Sequence, residues 1–295
     1  MKGYESRFAE RVEKIRRDSV HGASYLTVQA AEALKELALG GASVEELRSA
    51  AVAVSKSRPM MASVFRLAND LLFFLQKERE GEEVAAFCDD FAGGMHDAVH
   101  AASRFAAAYA SNARILLTHS YSTAVERTLK RLLQNGKRPQ VLCTESRPGY
   151  EGTELARTLC EAGIETTLVI DAAAPYLCDR AELVLLGADG IGAFGLVHKI
   201  GTYAIALAAK EYGVEVAAIA AGTKFWPAGI REIEEPPKSS RVLNDGECFG
   251  ALNLYFDKTP LAYVESVITE NGILSSKEAA AYCRNIPLHP LLAAD

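Results

Sequence analysis

From Tyr4 to about Ala110 the apolar positions return every three or four residues with little β-branched enrichment, which predicts helices. Val12, Ile15, Val20, Ala23, Leu26, Val28, Ala31, Leu34, Leu37 and Leu39 outline one or two of them, ended by Gly40-Gly41. Ser43-Val44-Glu45-Glu46 has the form of a capping box and opens another, running to about Ser57. Arg58-Pro59 stops it, because a residue before proline is pushed out of the helical region. A helix through Phe65, Leu67, Leu71, Leu72, Phe74 and Leu75 follows, and then one interrupted near Gly93-Gly94 that reaches about Tyr109.

At Arg114 the period changes. Ile115–Leu117, Val141–Cys143, Thr166–Ile170, Leu183–Leu186 and Val214–Ala220 are short apolar runs. Helical stretches from Thr123 to Leu133, Thr153 to Ala162, Ala172 to Asp179 and Leu196 to Tyr212 separate them. Buried strands alternating with helices predict a parallel sheet with crossover helices. A proline-rich, charged excursion from Glu232 to Lys238 and a helical segment from Leu261 to Cys283 complete the chain. The expectation is an α/β protein with an N-terminal all-helical domain over residues 1–111 and a sheet domain over residues 112–295.

The 295 residues suit about two domains. With 32 basic and 38 acidic residues the net charge is -6, which argues against direct nucleic-acid binding. Met1 to Lys14 lacks the apolar core of a secretion signal, and no window nears the roughly 18 apolar residues of a membrane span. A cytoplasmic protein without membrane contact is expected. The six cysteines are scattered with no Cys-x-x-Cys, and read as buried structural thiols. His96 and His100 stand one helical turn apart, but no third ligand is evident, so they read as helix-surface histidines and no metal is expected. No Walker sequence occurs, and no cofactor is expected.

Parallel sheets bind ligands at the carboxyl ends of their strands. The tips here carry Thr118-His119-Ser120-Tyr121-Ser122, Glu145-Ser146-Arg147-Pro148-Gly149-Tyr150-Glu151-Gly152, Gly187-Ala188-Asp189 and Gly222-Thr223-Lys224. The first is either a plain helix cap, with Thr123 and Glu126 at capping-box spacing, or a cradle for phosphate. Arg147 is either a surface ion-pair partner or a fork for phosphate or carboxylate. Asp189, at the end of an apolar run, is either a cap or an acid/base group whose pKa burial raises towards neutrality. His198-Lys199 stands at what reads as a helix start, and with Lys224 brings cations to the same edge.

These tips, together with His21-Gly22-Ala23, Leu186-Gly187-Ala188-Asp189-Gly190-Ile191, His198-Lys199-Ile200-Gly201-Thr202 and Phe256-Asp257-x-Thr259-Pro260, stand in the order found in one superfamily. The chain resembles the proteins joining the regulatory subunits of translation initiation factor 2B, archaeal ribose-1,5-bisphosphate isomerase and methylthioribose-1-phosphate isomerase. The resemblance implies a helical domain followed by a Rossmann-like domain, a sugar phosphate held between them, and homodimerisation through the C-terminal domain. It implies phosphate contacts at Gly22, Ala23, Arg58, Arg147, Lys199 and Lys224, and puts His21 and His198 where the isomerases carry Arg and Asn. The isomerase catalytic pair is a cysteine and an aspartate; here the aspartate is Asp189 and the cysteine position is Ser120.

That exchange matters, since a thiol with a reference pKa of about 8.5 exchanges protons near neutrality and an alcohol without an activating base does not. His119 is adjacent, but neighbours on a strand face opposite ways, so it is not automatically that base. Two functions follow. One is a cofactor-independent aldose–ketose isomerase of a sugar 1-phosphate, with Asp189 as acid/base and Ser120 polarising a ring or hydroxyl oxygen. The other is a non-catalytic regulatory subunit, like those of initiation factor 2B, that senses sugar phosphates.

Overall fold

The computed structural model describes residues 3–230, 233–234, 239, 243, 246 and 248–293. Its N-terminal region is helical: α1 (Gly3–Arg17), α2 (Ala23–Leu39), α3 (Val44–Ser57), α4 (Ala62–Phe74) and α5 (Glu82–Tyr109). The Ser43 box forms as expected, its hydroxyl accepting from the Glu46 amide and the Glu46 carboxylate accepting from the Ser43 amide. Arg58 leaves the helix at φ −140°, ψ 74°, as its proline neighbour requires. The expected interruption at Gly93-Gly94 is absent, and α5 runs through both for 28 residues. Each glycine costs about 1 kcal/mol relative to alanine, and the buried stripe from Val84 to Ala107 outweighs that penalty.

The second region carries a seven-stranded sheet of β1 (Ile115–Thr118), β2 (Gln140–Thr144), β3 (Glu165–Val169), β4 (Leu183–Leu186), β7 (Val216–Ile219), β9 (Ser266–Thr269) and β10 (Gly272–Ser275). Their order is β10-β9-β7-β4-β1-β2-β3, parallel throughout except for β10. Helices α6 (Thr123–Gln134), α7 (Glu151–Glu161), α8 (Ala174–Leu177) and α9 (Thr202–Tyr212) lie in the crossovers, and α10 (Ser276–Arg284) follows β10. The chain moves outward from β1 through β2 to β3 and then returns to β4 on the other side of β1. The crevice outside β1 and β4 is therefore the switch point where such sheets take ligands.

Three expected elements differ. Leu196 to Tyr212 is not one helix: β6 (Gly195–Lys199) comes first and pairs antiparallel with β5 (Gly190–Gly192) and β8 (Phe256–Thr259) in a small second sheet. A five-residue run buried on every side suits a doubly paired strand better than an amphipathic helix. Leu261 to Cys283 holds the β9–β10 hairpin before α10, because Ser266–Thr269 is wholly buried beside β7 and Gly272 turns the chain at φ +124°. Thr166–Ile170, expected as buried, belongs to edge strand β3, whose residues are exposed or half-buried. The Glu232–Lys238 excursion lies largely outside the described residues.

Two apolar clusters cover the faces of the large sheet. Another fills the helical region, and α5 joins it to the sheet, with Val84 and Cys88 in the helical core and Val99, Ala102 and Ala106 packed with Leu116 and Leu185. A fourth cluster of Met60, Ala62, Phe65, Val197 and Trp226 ties the start of α4 to β6. Cys88, Cys143, Cys178 and Cys283 are buried free thiols as expected, whereas Cys160 and Cys248 are exposed. Among the described residues no helix is long and apolar enough to cross a membrane.

Candidate functional site

A cleft of about 950 Å³ opens where the helical region faces the switch point. His21, Gly22, Ala23 and Arg58 line it from the helical side, and Ser120, Asp189, His198, Lys199 and Lys224 from the strand tips. Nine of the ten residues singled out from sequence thus share one cavity. Arg147 is the exception: its side chain is exposed, with the guanidinium 5.4 Å over the Tyr150 ring, and only its amide is engaged, donating to Asp171 at 2.6 Å. The tight turn from Arg147 to Tyr150 aims Arg147 away from the cleft its neighbours Pro148, Gly149 and Tyr150 line.

Asp189 stands where β4 hands over to β5. Its amide donates to Val197 at 2.9 Å and its carbonyl accepts from Ala62 at 3.0 Å, so both regions fix its backbone. Gly187 permits the approach, since a Cβ there would lie 2.5 Å from the Ser122 side chain. The β5–β6 hairpin folds His198 back, placing Nδ1 3.0 Å from Asp189 Oδ2. The other ring nitrogen, Nε2, meets the His119 carbonyl at 3.2 Å. A carbonyl only accepts, so Nε2 carries a hydrogen, and the Asp189–His198 contact contains a second proton held between nitrogen and carboxylate.

The expected rise in the Asp189 pKa is reversed. Burial pushes it up, but the His198 hydrogen bond and the nearby charges of His198, Lys224 and Arg58 together hold it below the usual aspartate value. The carboxylate is the favoured form of Asp189. Lys224 donates to the Ala188 carbonyl at 2.6 Å; burial lowers its pKa, with Asp189 opposing. Arg58, 2% exposed, donates from Nη1 to the Asp18 carbonyl at 2.6 Å. His21 is held by the Asp18 carboxylate at 2.8 Å and stacks on Tyr25.

Three helix N-termini also reach the cleft. Gly22 precedes α2 and Tyr150 precedes α7 without side-chain caps, whereas Ser122 caps α6 by accepting from the Val125 amide. The cap is therefore one residue earlier than the Thr123–Glu126 spacing suggested. Open N-termini beside two lysines and an arginine make a place for an anion.

Ser120 lies in the left-handed region at φ +68°, with its amide donating to Ser146 Oγ at 2.8 Å. Its Oγ donates to Glu151 Oε1 at 3.2 Å, and that oxygen lies 2.6 Å from Lys199 Nζ. Lys199 also stands 4.3 Å over the Tyr255 ring. His119 is turned away from all of this. Its Nε2 donates to the Ile200 carbonyl at 2.9 Å and its Nδ1 accepts from Thr144 Oγ1 at 2.6 Å, so it is not a base for Ser120. Burial, then the neighbouring His198 charge, depress its pKa to about 4.

Glu151, Glu154, Tyr25, Tyr150 and Tyr255 line the cleft and were not singled out from sequence, although Glu151 falls inside one of the strand tips. His96 and His100 instead face Arg127 and Arg131 on the outer surface of α5 and α6. Among the described residues no cluster of three or more His, Cys, Asp or Glu is placed to hold a metal.

The model of the initiation factor 2 subunit family matches residues 19–276 of this chain. A ribose 1,5-bisphosphate isomerase from Methanocaldococcus jannaschii is 34% identical, with 92% of each chain covered. A putative translation initiation factor eIF-2B subunit 2-like protein from Pyrococcus horikoshii is 32% identical over 91% of this chain and 96% of its own. Among solved structures, the Pyrococcus horikoshii OT3 translation initiation factor eIF-2B superimposes with a TM-score of 0.80 at 30% identity, covering 91% of this chain and 97% of that one.

Proposed function

The chain belongs to the initiation factor 2 subunit family, and from that membership and the chemistry of the cleft we propose that it isomerises a sugar 1-phosphate from aldose to ketose. The observation that carries this reading is the Asp189–His198 pair, a shared proton beside Lys224, Lys199 and Arg58 in one cavity. The cations and open helix ends hold phosphate, in keeping with the similarity to proteins named ribose 1,5-bisphosphate isomerase.

A phosphate on the anomeric carbon removes the free hydroxyl by which a sugar ring ordinarily opens, so the site must protonate the ring oxygen. The pair delivers that proton as the bond from C1 to the ring oxygen breaks and its electrons pass to oxygen. Asp189, as carboxylate, takes the C2 proton; the freed electron pair forms the C1–C2 double bond of an enol. The same group returns the proton to C1 as the ketone forms at C2. Ser120 hydrogen-bonds an oxygen of the sugar. Each of these steps uses groups of the cleft alone.

Incubating the protein with ribose 1,5-bisphosphate and following the C2 carbonyl by carbon-13 NMR tests the reading: ketose forms, and Asp189→Asn stops it in a chain that circular dichroism shows to be folded. A hydroxyl rather than a thiol at position 120 favours one alternative, a regulatory subunit that binds the same ligands without turnover. Thermal stabilisation by sugar 1-phosphates with no ketose from any of them would establish that alternative instead.

The protein acts as a homodimer in this proposal. Ile170 beside edge strand β3, Tyr176 on α8, and Leu207 and Tyr212 on α9 are exposed apolar side chains of the sheet region and give it surface to bury.

A further inference from the structure

Isomerisation, the reading on which this inference rests, moves one proton more than the Asp189–His198 pair handles. When the enol becomes a ketone the C2 hydroxyl loses its hydrogen, and a neutral serine is too weak a base to take it unaided. The topology supplies a partner. Asp189 follows β4, Ser120 follows β1 and Glu151 follows β2, three adjacent strands, so Ser120 stands between two carboxylates whose strands are about 10 Å apart.

Ser120 Oγ has a single hydrogen, and at 3.2 Å that hydrogen is committed to Glu151 Oε1. Towards the cleft it presents lone pairs, the face that accepts from a sugar hydroxyl. The arrangement is held in place from both ends. Ser120 keeps a left-handed backbone, a strained choice for a residue with a side chain, pinned by the hydrogen bond of its amide to Ser146. Glu151 has room because position 149 is glycine; a Cβ there would lie 2.6 Å from Glu151 Oε2. The carboxylate is only a quarter exposed and is held by Lys199.

We propose that Glu151 is the positioning residue that turns Ser120 into a proton acceptor. The O–H bond of the C2 hydroxyl breaks as its proton passes to Ser120 Oγ, and the Ser120 hydrogen passes to Glu151 Oε1. The released electron pair forms the C2 carbonyl, and the enol π pair takes the proton that Asp189 returns to C1. One proton has left the Asp189–His198 pair for the ring oxygen and one has arrived on Glu151; exchange with water between turnovers restores both.

The test uses the full chain and ribose 1,5-bisphosphate. Glu151→Gln keeps the shape and the hydrogen bond but cannot take the proton, so kcat falls about 100-fold or more while KM changes less than about threefold. Adding Ser120→Cys to Glu151→Gln restores at least about tenfold, because a thiol exchanges protons near neutrality without the carboxylate. Wild-type kcat in Glu151→Gln overturns the proposal and leaves the isomerase reading standing. A slow Glu151→Gln that the added cysteine does not rescue overturns it too, since the loss is then structural. No ketose from the wild-type protein removes the reading and the proposal together. Should Glu151→Gln not fold, Glu151→Asp serves, with a shortened carboxylate that lowers kcat and responds to the same added cysteine.

Discussion

Protonation of His119 should weaken the fold well before the surface carboxylates titrate. The ring is buried, its Nε2 donates to the Ile200 carbonyl, and its Nδ1 must stay unprotonated to accept from Thr144. Its pKa falls from 6.5 to about 4, burial being the main cause. A histidine whose folded pKa is depressed contributes stability that is whole above the unfolded pKa. That stability is lost as pH drops, because the unfolded chain binds the proton first. The loss begins near pH 6.5 and levels off near pH 4. Each unit of difference corresponds to about 1.4 kcal/mol, so going from about pH 7 to about pH 5 removes about 2 kcal/mol through this residue. Other groups titrate over the same range, and His119→Gln isolates the effect, because a carboxamide can accept from Thr144 and donate to Ile200 without titrating. Urea unfolding of both proteins at the two pH values measures the difference. The wild-type protein should lose about 2 kcal/mol more than the variant. Equal losses would refute the reasoning and place the proton elsewhere in the His119–His198 neighbourhood.

Lys224→Met removes a buried cation next to Asp189, and losing a charge-assisted contact worth about 1.5–3 kcal/mol should raise KM for a sugar 1-phosphate about 10- to 100-fold; an unchanged KM would exclude Lys224 from the phosphate. Gly187→Ala drives a methyl to within 2.5 Å of Ser122, where it also disturbs the α6 cap, and should cost about 1–3 kcal/mol by urea midpoint. Light scattering should give twice the chain mass for the wild type and the single-chain mass for Leu207→Glu, and a wild-type monomer would end the homodimer proposal.

The change of grammar at Arg114, the alternation of strands and helices and the Ser43 box were all legible, because each is written in residues close together in the chain. Leu196–Lys199 was not, since a short run buried on all sides has no period to separate strand from helix. The same limit governs the site. Asp189 and the two lysines announced themselves by residue type at strand tips. The sign of the Asp189 shift did not, because it depends on a hairpin that brings His198 back nine positions later. Arg147 had the right chemistry and the wrong direction, and a side chain's direction out of a tight turn is set by the turn. Glu151 fell inside a strand tip, but nothing local set it apart from the other residues there. Its meaning comes from the adjacency of β1 and β2, which only the folded sheet provides.

Helix α5 buries its first turns among other helices and its last turns against the sheet, without a break between. A lever of that kind transmits rather than isolates: one unbroken helix, packed at both ends, spans from one wall of the cleft to the other. Movement at the cleft then falls to the small parts at the rim, the α1–α2 loop with His21 and the Tyr150 turn, while the lysines and arginine behind them stay with the elements that carry them.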